Sequence, residues 1–213
     1  MSFRYERIDK DNVALLIVDH QERLFQLARD KTPQEFWSSI LAHAELAKVF
    51  NLATVLTSSA ETGQNGPLPA EVIALHPDAP YIKRQGEVDA YAVAATGKKQ
   101  LIIGGISTDV CTAFLALSLR EAGYTVFANS DASGTFDDKT AQEANDRMRD
   151  AGVHVLSMFA VACELMRDWR NTPGAPELLP FFDKYLPQYG HHTRAHDAAL
   201  VIGTPSGMPE PPA

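Results

Sequence analysis

Cysteine is scarce: the 213-residue chain holds two, Cys111 and Cys163. Two thiols cannot form the disulfide framework that staples small secreted domains, and a reducing compartment keeps both available for chemistry. Positive charge is short as well, with 19 Lys and Arg against 27 Asp and Glu and a net charge of -8. Nucleic-acid affinity comes from clustered cations, so that class of partner is excluded. Long apolar runs are missing too. None approaches the roughly 18 residues of a membrane span, and the opening MSFRYERIDKDN has no apolar signal core. These absences predict a cytoplasmic protein with no membrane partner.

What is present is 45% hydrophobic residues arranged as short apolar runs alternating with helical patterns, and no internal repeat. Val13 to Val18, Ala53 to Leu56, the run around Tyr81-Ile82, Gln100 to Ile103, Tyr124 to Ala128 and Val153 to Leu156 read as strands. Between them, Phe36 to Phe50, a weak Ala70 to Leu75, Val110 to Glu121 and Thr140 to Ala151 read as helices, with Val161 to Trp169 after the last strand. Strands apolar on both faces need cover on both faces, which predicts an α/β three-layer sandwich with a central, mostly parallel, doubly wound sheet. One domain is expected over residues 1–185. Residues 186–213 are expected as a C-terminal arm fading into a flexible tail, because the ending GTPSGMPEPPA has too little apolar area to offset ordering.

In open parallel sheets ligands bind beyond the carboxyl ends of the strands. There the polar residues collect: Asp19 after the first strand, Thr57-Ser58-Ser59 and Glu61 after the second, Lys83-Arg84 at the third, GGISTDVC after the fourth, and Ser130 to Ser133 after the fifth. Topology alone therefore brings a carboxylate, a cation and a thiol to one edge. Cys111 is expected in the first turn of an α-helix capped by Thr108 or Asp109, where free amides and the helix dipole lower a thiol pKa and can hold an oxyanion. Read alone, Cys111 is better taken as a small hydrophobe filling space under a helix, since free cysteine is among the most buried residue types. Adjacent strand residues face opposite ways, so only one of Lys83 and Arg84 can enter the site.

The stretches VALLIVDHQ, ETGQNGPLPAE, APYIKRQG, TGKKQLIIGG, GGISTDVCTAFLA, SDASGTF and FAVACELMRDWRN resemble the isochorismatase-like cysteine hydrolases, in their YcaC-like subgroup, over most of residues 4–185. The resemblance implies the isochorismatase-like hydrolase fold and a triad of Asp19 as general base, Cys111 as nucleophile and Arg84 as the site cation, with Lys83 the alternative. It also implies a cis peptide at Ile106-Ser107, an oxyanion hole built from the Ser107 and Cys111 amides, and a homo-oligomer, an octamer. The substrate implied is a small amide, another C-N compound or an ester. No cofactor and no metal are expected, because the Asp-x-His pattern of the metal-binding nicotinamidases is missing between Leu52 and Tyr81. Lone His76 reads as a surface residue, Cys163 as a buried structural thiol, and HHTRAH at 191–196 as a solvated segment. GGIS lacks the spacing of a phosphate loop. The stretch between Arg84 and Gln100 is shorter than in the family by about two helical turns. The alternative function is thus a catalytically idle oligomer of the same fold with a defective pocket.

Overall fold

The computed structural model describes residues 5–85 and 96–202. Two compact units make up the chain, Met1–Asp168 and Trp169–Ala213.

The first unit is built on six parallel strands. They are β1 (Val13–Val18), β2 (Ala53–Ser59), β3 (Tyr81–Arg84), β4 (Gln100–Gly105), β5 (Thr125–Asn129) and β6 (His154–Leu156), in the order β3-β2-β1-β4-β5-β6. The chain winds outward from β1 to β3, then restarts at β4 on the other side of β1. The crevice between β1 and β4 is therefore the switch point of a doubly wound sheet, where such folds bind ligands. All six residues of β1 are buried, as expected for a strand covered on both faces.

On one face Ala14, Leu16, Val18, Leu101, Ile103, Val126 and Ala128 pack against Leu115, Ala116 and Leu119 of α4 (Ala113–Glu121) and Met148 of α5 (Asp138–Asp150). Burying each such Leu or Ile stabilises by roughly 1.5–3 kcal/mol, so this layer fixes which way every strand faces. The other face is covered by α2 (Pro33–Val49), which buries Phe36, Ile40, His43, Ala44 and Ala47 at helical spacing. Its start is fixed by Pro33 and by a capping box in which Thr32 Oγ1 accepts from the Glu35 amide. The short α1 (Glu22–Phe25), α3 (Ala70–Leu75) and α6 (Met158–Met166) complete this unit, with α6 started by Ser157 accepting from the Ala160 amide.

The second unit holds α7 (Ala175–Tyr185), within the stretch read as domain, and α8 (Pro187–Ile202), a helix where composition suggested an arm. Its core is Leu178, Phe181, Phe182 and Tyr185, spaced three, four and seven residues on. Pro180 obscures that period in the sequence. Within α8 the HHTRAH histidines His191, His192 and His196 are exposed. The terminal GTPSGMPEPPA and residues 86–95 of the shortened stretch lie outside the described residues.

Candidate active site

Asp19 follows β1 directly and is fully buried, with a left-handed φ of 54°. Aspartate tolerates that conformation better than most residues. Three contacts hold it. Its amide donates to Thr57 O at 3.2 Å, the Thr57 hydroxyl donates to Oδ1 at 2.6 Å, and the Arg84 guanidinium donates to Oδ2. Thr57 and Arg84 can converge on one carboxylate because β2 pairs with β3 in parallel, Ser59 opposite Arg84 and Ser58 opposite Lys83. Residues two apart on a strand share a face.

That alternation separates the two candidate cations. Arg84 is buried at 8% exposure, whereas Lys83 turns to the other face and meets Glu61 Oε1 at 3.1 Å, above the Tyr81 ring. Glu61 also accepts from Ser58 Oγ at 3.0 Å and Tyr81 Oη at 3.1 Å. Lys83 thus anchors the loop after β2 and is not the cation beside Asp19.

The loop after β4 carries the thiol. Gly105 lies against β1 so closely that a Cβ there would sit 2.6 Å from Val18 Cβ, which is why glycine is required. The Ile106-Ser107 peptide that follows is cis. The sequence reading placed Cys111 in the first turn of an α-helix capped by Thr108 or Asp109. Instead residues Thr108–Thr112 form one π-helical turn before α4, flanked by Ser107, with no side-chain cap. Its Thr112 amide reaches back to Ser107 O at 3.0 Å. Single π turns of this kind recur at functional sites.

The expected low pKa of Cys111 is also corrected. Burial pushes the thiol up to about 12, and the negative charge of Asp19 and a hydrogen bond to it add to the rise; the Ser107 amide and the Arg84 charge oppose it. Desolvation and the neighbouring carboxylate outweigh the helix-end field. The resting thiol is therefore neutral and hydrogen-bonded to the carboxylate that Arg84 pairs.

Several supporting residues could not be read from the sequence. Gln21 is fully buried and bridges the loop after β1 to the end of β2, accepting from the Ser59 amide at 2.8 Å and donating to Ser59 O at 3.0 Å. Ser133 and Gly134 clamp the thiol loop: Gly134 N donates to Gly105 O at 3.3 Å, and Thr108 N donates to Gly134 O at 3.0 Å. Behind that clamp lie two buried imidazoles. His20 Nε2 donates to Ala132 O at 2.7 Å. His43 Nε2 donates to Leu16 O at 3.0 Å, and its Nδ1 accepts from the side-chain Nδ2 of Asn129 at 3.1 Å. VDHQ shows His20 and Gln21 as polar residues after a strand, but their partners lie up to 112 residues away.

The other candidates sit elsewhere. His76 is half-buried rather than on the surface, donating from Nε2 to Ala44 O at 2.7 Å. Cys163 is half-buried rather than buried, and burial raises its pKa. Among the described residues no group of three or more His, Cys, Asp or Glu could hold a metal ion. A cleft of about 450 Å³ bordered by Lys48, Leu52, Thr54, His76 and Asp78 opens at the start of β2, at the opposite edge of the sheet from Asp19 and Cys111. Asp19 and Cys111 lie at the switch point, away from this cleft.

A doubly wound parallel sheet carrying a thiol, a carboxylate and an arginine at its switch point defines a class of hydrolases, and residues 13–159 match the isochorismatase domain. The chain belongs to the isochorismatase family and is a hydrolase. It is 48% identical over 204 residues to the probable hydrolase YcaC of Escherichia coli K12, covering 92% of this chain and 97% of that protein. The 1.8 Å crystal structure of E. coli YcaC, described as an octameric hydrolase of unknown specificity, matches with a TM-score of 0.88 over 92% of this chain and 99% of that one. YcaC from Pseudomonas aeruginosa, solved with hexane-2,5-diol and covalent acrylamide, is 44% identical with the same TM-score, over 92% of this chain and all of that one.

Proposed function

We propose that the protein hydrolyses a small amide, or a related C-N or ester substrate, through a covalent intermediate on Cys111. The observation that carries this reading is the hydrogen-bonded thiol and carboxylate, Cys111 with Asp19, the carboxylate being held by Thr57 and Arg84. As Sγ forms its bond to the acyl carbon, the thiol proton passes to Asp19. The Ser107 and Cys111 amides receive the oxyanion. Asp19 then returns the proton to the leaving nitrogen or oxygen as its bond to carbon breaks. Water next attacks the thioester, giving one proton to Asp19, which restores the thiol as the carboxylic acid departs. Atoms balance as substrate plus water giving acid plus amine or alcohol. Arg84 keeps Asp19 oriented through its hydrogen bond to Oδ2.

No step calls on a metal, so chelator treatment is expected to leave turnover unchanged. The P. aeruginosa relative was solved with covalent acrylamide, an electrophile that couples to thiols through its vinyl carbon, which fits a nucleophilic cysteine in this family. The test is intact-mass analysis after exposure to a panel of small amides and esters. An acyl adduct that maps to Cys111 and is lost in Cys111→Ser is expected. Turnover that survives Cys111→Ser would refute the reading.

A further inference from the structure

The carboxylate and the thiol stand on opposite halves of the sheet. Asp19 is held over β2 and β3, by Thr57 and Arg84, whereas Cys111 follows β4. The residue next to Asp19 ties one half to the other. His20 follows β1 and is fully buried, and its Nε2 donates across the end of β4 to Ala132 O, beyond β5, at 2.7 Å. Its Nδ1 has no hydrogen-bond partner among the described residues, so this is the ring's single hydrogen bond. Ala132 belongs to the segment 130–135, which grips the thiol loop from its start to its π turn. Gly134 N donates to Gly105 O at 3.3 Å, Thr108 N donates to Gly134 O at 3.0 Å, and Thr135 Oγ1 donates to Asp109 Oδ1 at 2.7 Å.

The same segment is fixed from beneath. Asn129 Oδ1 accepts the Asp131 and Ala132 amides at 3.2 and 3.4 Å, which leaves its Nδ2 to donate to His43 Nδ1 at 3.1 Å and Met158 Sδ at 3.6 Å. His43 Nε2 in turn donates to Leu16 O of β1 at 3.0 Å. Because Nδ1 must accept, His43 is the neutral tautomer with its proton on Nε2. A closed ring results, from β1 through His43, Asn129, Ala132 and His20 back to the end of β1. Gly104 makes room for it, since a Cβ there would lie 3.0 Å from Ala132 Cβ and 3.3 Å from His43 Cε1. Lys31 Nζ also reaches Ser133 O at 2.7 Å, but that side chain is 23% exposed and shared with Asp30, so water competes for it.

We propose that His20 and His43 are positioning residues of the Cys111 site, and that through the segment 130–135 they set where the thiol and the Ser107 amide stand relative to Asp19. The inference rests on the proposed nucleophilic role of Cys111 and adds to it the parts that hold its geometry. The rings act through backbone carbonyls and Asn129, a role that demands hydrogen-bonding groups and not merely apolar volume. Fully buried bonds of this kind fix a single arrangement, because no water can replace a lost partner.

The test compares His20→Leu, which keeps apolar volume and removes the donor, with His20→Gln, whose side-chain N–H can replace that of Nε2. Iodoacetamide at Cys111 reads the geometry: Sγ bonds to the methylene carbon as iodide leaves, and the thiol proton goes to solvent. Rates against pH are followed by peptide mass mapping on the full-length protein, with Cys163 as the internal reference. A displaced turn loses the Asp19 hydrogen bond that helps hold the thiol pKa up. The Cys111 midpoint is therefore expected to fall by at least about one pH unit in His20→Leu and to return toward the parent in His20→Gln, while Cys163 keeps its own. If His20→Leu does not fold, His43→Gln carries the same comparison; it keeps an N–H for Leu16 O and drops the acceptor for Asn129, and the same fall is expected. A midpoint unchanged in the folded variants, or lowered equally by Leu and Gln at position 20, overturns the inference and leaves the nucleophile standing. No labelling of Cys111 in the parent at any pH refutes the nucleophile. Amide hydrogen exchange over residues 104–112 then decides the positioning by itself: faster exchange in His20→Leu but not His20→Gln supports it, and equal exchange in parent and variants overturns it.

Discussion

Replacing Asp19 by Asn removes one charge and little else. Asparagine has the same shape, can still accept the Thr57 hydroxyl, and also tolerates the φ of 54°. What is lost is the carboxylate facing Arg84, a guanidinium only 8% exposed. Breaking a buried pair from one side costs roughly 3–5 kcal/mol, because the remaining charge stays out of water. For a unit of this size each kcal/mol moves Tm by about 2–4 °C, so a fall of roughly 6–20 °C is expected by calorimetry. At Cys111 two of the three causes that raise the pKa disappear, namely the Asp19 charge and its hydrogen bond, while the Arg84 charge remains. The thiol should therefore titrate below its present value of about 12. A folded pKa above the ordinary thiol value gives stability that is present below that value and lost as pH rises through the folded pKa; in the variant this alkaline loss begins from a smaller gain. The assay is the pH dependence of Cys111 alkylation, followed by peptide mapping. Its midpoint should move down, and any turnover should be lost, since the carboxylate proposed to carry the proton is gone. An unchanged midpoint, or a variant as stable as the parent, would refute the argument.

Three further outcomes follow from the same geometry. Burial, the largest cause, pushes His20 down to about 4 and His43 down to about 3, so both are neutral in the fold. Their stabilisation is complete above the ordinary imidazole pKa and lost as pH falls through the folded values; urea titrations should show a loss of the order of 3 kcal/mol per imidazole between pH 7 and pH 4, and a flat profile over that range would contradict it. Gly105→Ala should destabilise by several kcal/mol, since its Cβ would meet Val18 Cβ at 2.6 Å between two central strands. Gly123→Ala has a φ of 87° but nothing within 4 Å and should cost only about 1 kcal/mol, so equal urea midpoints for the two variants would refute this account. In solution the chain should assemble like its octameric E. coli relative, so light scattering at micromolar concentration is expected to report eight times 23.3 kDa, and a stable monomer would overturn that expectation.

The period of the apolar residues was enough to specify the sheet. Val13 to Val18 is apolar at every position, and a strand with no polar face has to lie between two layers of helices. The order of polar residues at strand ends was enough to bring Asp19, Arg84 and Cys111 to one edge, because in a doubly wound sheet connectivity alone puts them there. Strand alternation limited the site to one of Lys83 and Arg84, but not which. That was decided by the register of β3 on β2 and by Glu61, which captures Lys83 on the far face. In α7, Leu178, Phe181, Phe182 and Tyr185 keep a helical stripe around Pro180, which interrupts the pattern visible in the sequence.

The sign of the Cys111 pKa shift is the clearest case of something only the tertiary structure decided. From the sequence, a cysteine at a helix start beside a cation reads as a ready thiolate. In the fold the thiol is largely desolvated and bonded to Asp19, and both effects act on the full charge of the thiolate, whereas the turn offers only partial charges. Local spacing carries secondary structure and chain order, because those depend on neighbours within a few residues. Burial and the identity of the nearest charge depend on residues 65 or more positions apart, such as Asp19 with Arg84, and so exist only once the sheet has closed around them.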